Sequence, residues 1–96
     1  MENDIKLMLE KIKDWIGRPV VHFKGDTYII ESVSKDCNNP NRYLVNYRAI
    51  YGDCELWSRE ITDFFSEVTE EQKNAYNWKY DFKFQPAIFE SKRKDL

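Results

Sequence analysis

The sequence predicts an α+β fold, a small SH3-like antiparallel β-barrel with an N-terminal helix and a C-terminal helix–strand extension. Three observations predict it. Apolar residues recur every three or four positions up to Ile16, then every two positions from Pro19 to Thr69. Turn residues cut the second region into short runs, the pattern of a small, strongly bent antiparallel sheet. The chain has 96 residues, enough for one domain, and 16% of them are aromatic. Rings that each bury roughly 150–250 Å² give so short a chain a core without metal or disulfide staples. The reading divides it into a helix over 1–17, a barrel over 19–68, an extension over 69–90 and a tail over 91–96.

The helix is expected from Asn3 to Ile16. Ile5, Met8, Leu9, Ile12, Trp15 and Ile16 share one face, with Lys6, Glu10, Lys13 and Asp14 mostly opposite. Gly17 supplies the C-terminal cap and Pro19 stops the helix. Val20 to Lys24 reads as a strand, Gly25-Asp26 as a tight turn and Asp26 to Ser34 as a second strand. Lys35 to Asn41 reads as a loop, Arg42 to Tyr51 as the longest strand, Gly52-Asp53 as a turn and Glu55 to Arg59 as a fourth strand. Ile61 to Phe65 fits one helical turn, and Glu67-Val68 a short fifth strand. Thr69 and Gln72 fit a capping box opening a helix to about Trp78. Tyr80, Phe82 and Phe84 alternate with polar residues as a strand does, and Pro86 ends it or places it at a sheet edge.

Composition narrows the function. The net charge is −2, without the basic excess of a protein that neutralises phosphates non-specifically, so the case for single-stranded nucleic acid rests on the aromatics alone. No apolar run has the roughly 20 residues a membrane-crossing helix needs. With an acidic N-terminus in place of a signal peptide, the expected location is cytoplasmic. Cys37, Cys54 and His22 are too few and too scattered for a tetrahedral zinc site, so no metal and no cofactor is expected. The cysteines read as reduced and structural. There is no GxSxG, P-loop or GxGxxG motif, and the reading is non-enzymatic. The acids of residues 60–71 form a solvated face or a surface for a basic partner.

The informative stretch is YRAIYGDCELWSR, from Tyr47 to Arg59. If Val45, Tyr47 and Leu56 point inward, Arg48, Trp57 and Arg59 point outward together on neighbouring strands. Arginine grips carboxylate or phosphate bidentately, and tryptophan stacks a flat ring. The opposing reading pairs each arginine with Glu31, Glu55 or Glu60. The expected ligand-binding residues are Arg48, Trp57, Arg59, Tyr47, Tyr51, His22 and Lys24. The expected ligand is small and anionic, with nucleotides included. A phage or mobile-element protein that sequesters a signal or blocks a host factor would have this size and composition. The alternatives are a module that meets a host protein through the acidic 60–71 surface, and a hydrolase of a modified nucleotide. The helix stripe and the Tyr80–Phe84 strand also suggest a homodimer.

HFKG at 22–25, Tyr28, YRAIYG at 47–52, LW at 56–57, Arg59, and Phe64 or Phe65 before Val68 together resemble domain-of-unknown-function family 1653. The likeness covers about residues 17–68 and places His22, Lys24, Gly25, Tyr47, Arg48, Tyr51, Gly52, Trp57 and Arg59 at shared positions. Val21 stands where that family usually has Arg, and Glu60 where it has Pro. The first departure weakens an anion site on that strand, and the second frees the path of the chain after Arg59. The helix and the 69–96 extension have no counterpart in the resemblance. It implies the barrel and brings no assigned activity.

Overall fold

The computed structural model describes residues 2–87. The predicted 91–96 tail lies outside them. Eight elements follow in order: α1 (Glu2–Lys13), β1 (Pro19–His22), β2 (Thr27–Asp36), β3 (Asn39–Ala49), β4 (Leu56–Glu60), α2 (Ile61–Phe64), α3 (Glu70–Tyr76) and β5 (Phe84–Pro86). The strands form one antiparallel sheet in the order β4-β3-β2-β1-β5. β4 and β5 end the ladder, so the hydrogen-bonded sheet is open and does not by itself close the barrel of the sequence reading.

α1 ends three residues earlier than the stripe predicts. The Gly17 amide donates to the Ile30 carbonyl at 2.7 Å, and Ile16 bridges Ile30 in parallel, so the chain leaves the helix to dock on β2. Gly17 turns there at φ +80°, which only glycine adopts without strain. The stripe serves the core: Ile12 is buried, and Ile5, Met8, Leu9 and Trp15 pack against the same cluster.

The predicted 35–41 loop is instead a tight hairpin. Only Cys37 and Asn38 separate β2 from β3, and the Asp36 carboxylate accepts the Asn38 amide at 2.9 Å. Asn and Asp close tight turns as readily as they fill loops, so composition could not give the turn's length. The strand expected at Glu67-Val68 reduces to a single bridge from Glu67 to Phe82. The fifth strand is β5, which covers the free edge of β1 with Val20 opposite Pro86 and His22 opposite Phe84.

One sheet face holds the core. Val20, Ile30, Val45, Ile61, Phe64 and Phe84 are all buried, and the last two stack with centroids 4.2 Å apart. The other face is wet and polar. There Asn46 bonds Ser32, Ser34 and Ser58 across three strands, which pins the register from the solvent side.

Candidate functional site

The phase of β4 decides which side chains meet. Tyr47 lies opposite Trp57, Val45 opposite Arg59 and Arg48 opposite Leu56. Directly opposed residues share a face. Trp57 and Arg59 therefore lie on the face of Val45 and Tyr47, while Arg48 and Leu56 lie on the outer face. This corrects the expected grouping of Arg48 with Trp57 and Arg59. The alternation within each strand was read correctly, but the six-residue connection over 50–55 sets β4 one residue out of the assumed phase, and a one-residue shift moves every side chain to the other face. Leu56, expected inside, is 49% exposed.

On the inner face the side chains line a cleft of about 290 Å³. His22 comes from β1, Lys24 and Asp26 from the turn after it, Tyr28 from the start of β2, Tyr47 from β3, Trp57 and Arg59 from β4, and Phe84 from β5. Five of the seven expected residues thus meet in one place: His22, Lys24, Tyr47, Trp57 and Arg59. Tyr51 stands at the rim, its hydroxyl 2.9 Å from that of Tyr28. Arg48 is outside the cleft. Its Nε donates to Glu31 at 2.6 Å and its Nη1 to the Cys54 carbonyl at 3.0 Å, the pairing that the opposing reading described.

Arg59 crosses the cleft floor. Its Nε donates to the Tyr47 hydroxyl at 3.1 Å, its Nη1 to Asp63 Oδ2 at 2.6 Å, and the guanidinium lies 5.5 Å from the centroid of the Phe84 ring. Burial disfavours its charge, but its bonds to Tyr47 and Asp63 outweigh that and hold its pKa above the usual arginine value. The other Asp63 oxygen accepts from Lys83 at 2.9 Å. Burial pushes the Asp63 carboxyl up, and the bonds from Lys83 and Arg59 bring it below the usual carboxylate range.

His22 is 8% exposed and wedged between the Phe23 and Phe84 rings. Its Nδ1 accepts the Lys24 amide at 3.2 Å, which places the remaining proton of the neutral ring on Nε2. Burial, followed by the charges of Arg59 and Lys24, lowers its pKa to about 4, so the imidazole is neutral near pH 7. Asp26 opposes the shift, and the cations prevail over it. Tyr28 is held well above the ordinary phenol value by burial and by its bond to Tyr51.

Sequence reasoning missed Asp26, Tyr28 and Phe84 as cleft residues. Tyr28 was legible as an inward residue of β2. Phe84 was legible as a strand residue but not as the neighbour of His22, because that contact closes across sixty-odd positions of chain. A larger groove of about 620 Å³ runs between α1, β3 and α2, lined by Ile5, Met8, Leu9 and Tyr43 with Asp4, Lys6, Asn41 and Thr62. It is mostly apolar and gathers none of the charged and aromatic residues above, so the smaller cleft is the candidate site. In the acidic stretch, Glu60 accepts from Arg42, Asp63 from Arg59 and Lys83, and Glu70 pairs with Lys73.

Among the described residues no cluster of His, Cys, Asp and Glu is arranged to hold a metal ion. None of the described helices is long and apolar enough to cross a membrane. The profile of a family described as "Protein of unknown function (DUF1653)" matches residues 19–85. The match runs past the 17–68 stretch that carried the resemblance, so α3 and most of β5 belong to the shared unit. No curated protein and no solved structure matches the chain.

Proposed function

The chain belongs to the family of proteins of unknown function DUF1653, and from that footing we propose that it is a non-enzymatic binding protein whose cleft takes a small anionic ligand with a flat ring, nucleotides foremost. One observation carries the reading: Arg59, Lys24 and four aromatic rings converge on one cleft whose only lining carboxylate among the described residues is Asp26. The cations favour an anion, and the half-exposed face of Trp57 offers a ring somewhere to stack. Asp26 accepts an N–H or O–H from the rest of the ligand, and the neutral His22 offers its Nε2 proton as a donor. Arg59 is held in place by Tyr47 and Asp63, so little side-chain entropy is lost when it engages.

The SH3-like barrel belongs to the same proposal. The two end strands of the open ladder, β4 and β5, both line the cleft, and Arg59 of one lies over Phe84 of the other. That contact supports a sheet curled most of the way to closure, with the cleft in its mouth. The alternative, a host protein docked on residues 60–71, draws less support, because Glu60, Asp63 and Glu70 already have cation partners within the chain.

Native mass spectrometry of the protein purified from its host tests the reading. The expected result is a retained small anionic mass that survives Arg48→Ala and is lost in Trp57→Ala and Arg59→Gln. Retention of a polypeptide in its place, or equal loss in all three variants, overturns it. Turnover of a nucleotide panel by substoichiometric protein would make it the hydrolase instead.

A further inference from the structure

The two ends of the sheet are not alike. β5 finishes at Pro86, which has no amide hydrogen to offer a neighbour. β4 has no proline and, among the described residues, no covering strand, and it exposes Leu56 and Trp57, each 49% accessible. Long exposed edges with apolar side chains recruit further strands unless they are blocked.

The structure fixes which backbone groups that edge presents. The Ala49 amide donates to the Glu55 carbonyl at 3.0 Å. Antiparallel ladders alternate, so with Tyr47 opposite Trp57, residues Trp57 and Arg59 turn their backbone groups toward β3. Leu56, Ser58 and Glu60 turn theirs outward. The Glu60 carbonyl opens α2, which leaves the amides of all three residues and the carbonyls of Leu56 and Ser58 without a partner among the described residues and able to take a new strand.

We propose that a second copy of this chain supplies that strand, β4 pairing with β4 antiparallel about a two-fold axis at Ser58. The sequence of the edge is self-complementary in that register. Residues on a two-fold axis meet themselves, and Ser58 is small and uncharged, so its meeting costs nothing in charge repulsion. Trp57 falls opposite the partner's Arg59 on the cleft face, an aromatic ring against a guanidinium. Leu56 falls opposite the partner's Glu60 on the outer face, over that residue's apolar stem. The sheet becomes continuous through both copies. The two clefts lie side by side, and the partner's Trp57 extends the wall beside Arg59. The pairing stands independently of what the cleft binds.

Hydrogen exchange read residue by residue at micromolar and millimolar protein tests both the dimer and its register. The amides of Ser58 and Glu60 should slow by roughly tenfold or more at high concentration, as formerly open amides enter a ladder, while those of Trp57 and Arg59 stay unchanged. Light scattering should show the matching rise in mass. Ser58→Pro should remain folded by thermal melt and stay monomeric, because its lost amide serves no bond within the chain. Should that variant not fold, Ser58→Asp decides, since it sets two carboxylates face to face on the axis and should dissociate the dimer. A monomer up to millimolar concentration overturns the proposal. So does a dimer whose Ser58 and Glu60 exchange is insensitive to concentration, or one that Ser58→Asp leaves intact.

Discussion

At the scale of single residues, His22 links the cleft to pH. Its ring is held neutral down to about 4, whereas in the unfolded chain it titrates near the ordinary 6.5. Between those values the unfolded state binds a proton that the folded state refuses. Stability is therefore full above about pH 6.5 and falls as the pH drops toward 4, by roughly 1–3 kcal/mol. Unfolding in urea across that range measures the slope, and His22→Asn, which keeps an acceptor for the Lys24 amide, should flatten it. A slope equal in both proteins would assign the loss to other groups. The two arginines separate in the same kind of experiment. Arg48 sits on an exposed face with Glu31, so Arg48→Ala should leave the melting temperature nearly unmoved. Arg59 joins Tyr47, Asp63 and Phe84, so Arg59→Gln should cost about 1–2 kcal/mol as well as ligand. Arg59→Lys should not rescue either effect, because a single ammonium cannot span the Tyr47 and Asp63 oxygens with the same fork.

At the scale of elements, two local devices carry measurable stability. α1 is anchored by Ile12, which is 1% exposed and sits in the cluster with Phe64 and Phe84. Ile12→Ala should cost roughly 2–5 kcal/mol in chemical denaturation, and a loss under about 0.5 kcal/mol would mean that the helix does not pack as described. α3 is short and buries none of its own residues, so its ends must hold it. Thr69 accepts the Gln72 amide at 3.1 Å, Gln72 returns a bond to the Thr69 amide at 2.9 Å, and Asn77 closes the helix in the left-handed conformation. Thr69→Ala should lower stability by about 0.5–2 kcal/mol, with the α3 amides exchanging faster and those of β3 unaffected. This capping box was legible in the sequence because both partners lie within four residues. The length of the β2–β3 turn was not, because Asn and Asp fill a loop as readily as they close a tight turn and the 35–41 composition fits both.

At the scale of the whole molecule, Phe84 ties the ends of the sheet together. It is 2% exposed, stacks on Phe64, meets Tyr28, Tyr47 and His22, and lies beneath Arg59. Phe84→Ala should cost about 3–5 kcal/mol and loosen β5 from β1, with His22 returning toward an ordinary pKa as water reaches the cleft. A two-dimensional spectrum of the histidine ring across pH reads that change directly.

The sequence by itself determined most of the elements in their order, the buried stripe of α1, the capping box of α3, the turns at Gly25 and Gly52, and the family. Each of these rests on periodicity, a short motif or contacts between near neighbours in the chain. Only the tertiary structure decided that the ladder stays open, that β5 rather than Glu67-Val68 supplies the fifth strand, and that Arg59 belongs to the cleft while Arg48 does not. The physical reason is the same in all three. Alternation along a strand tells which residues share a face, but the phase and partner of the strand come from long-range pairing, and a shift of one residue between β3 and β4 exchanges the two faces without changing any local preference.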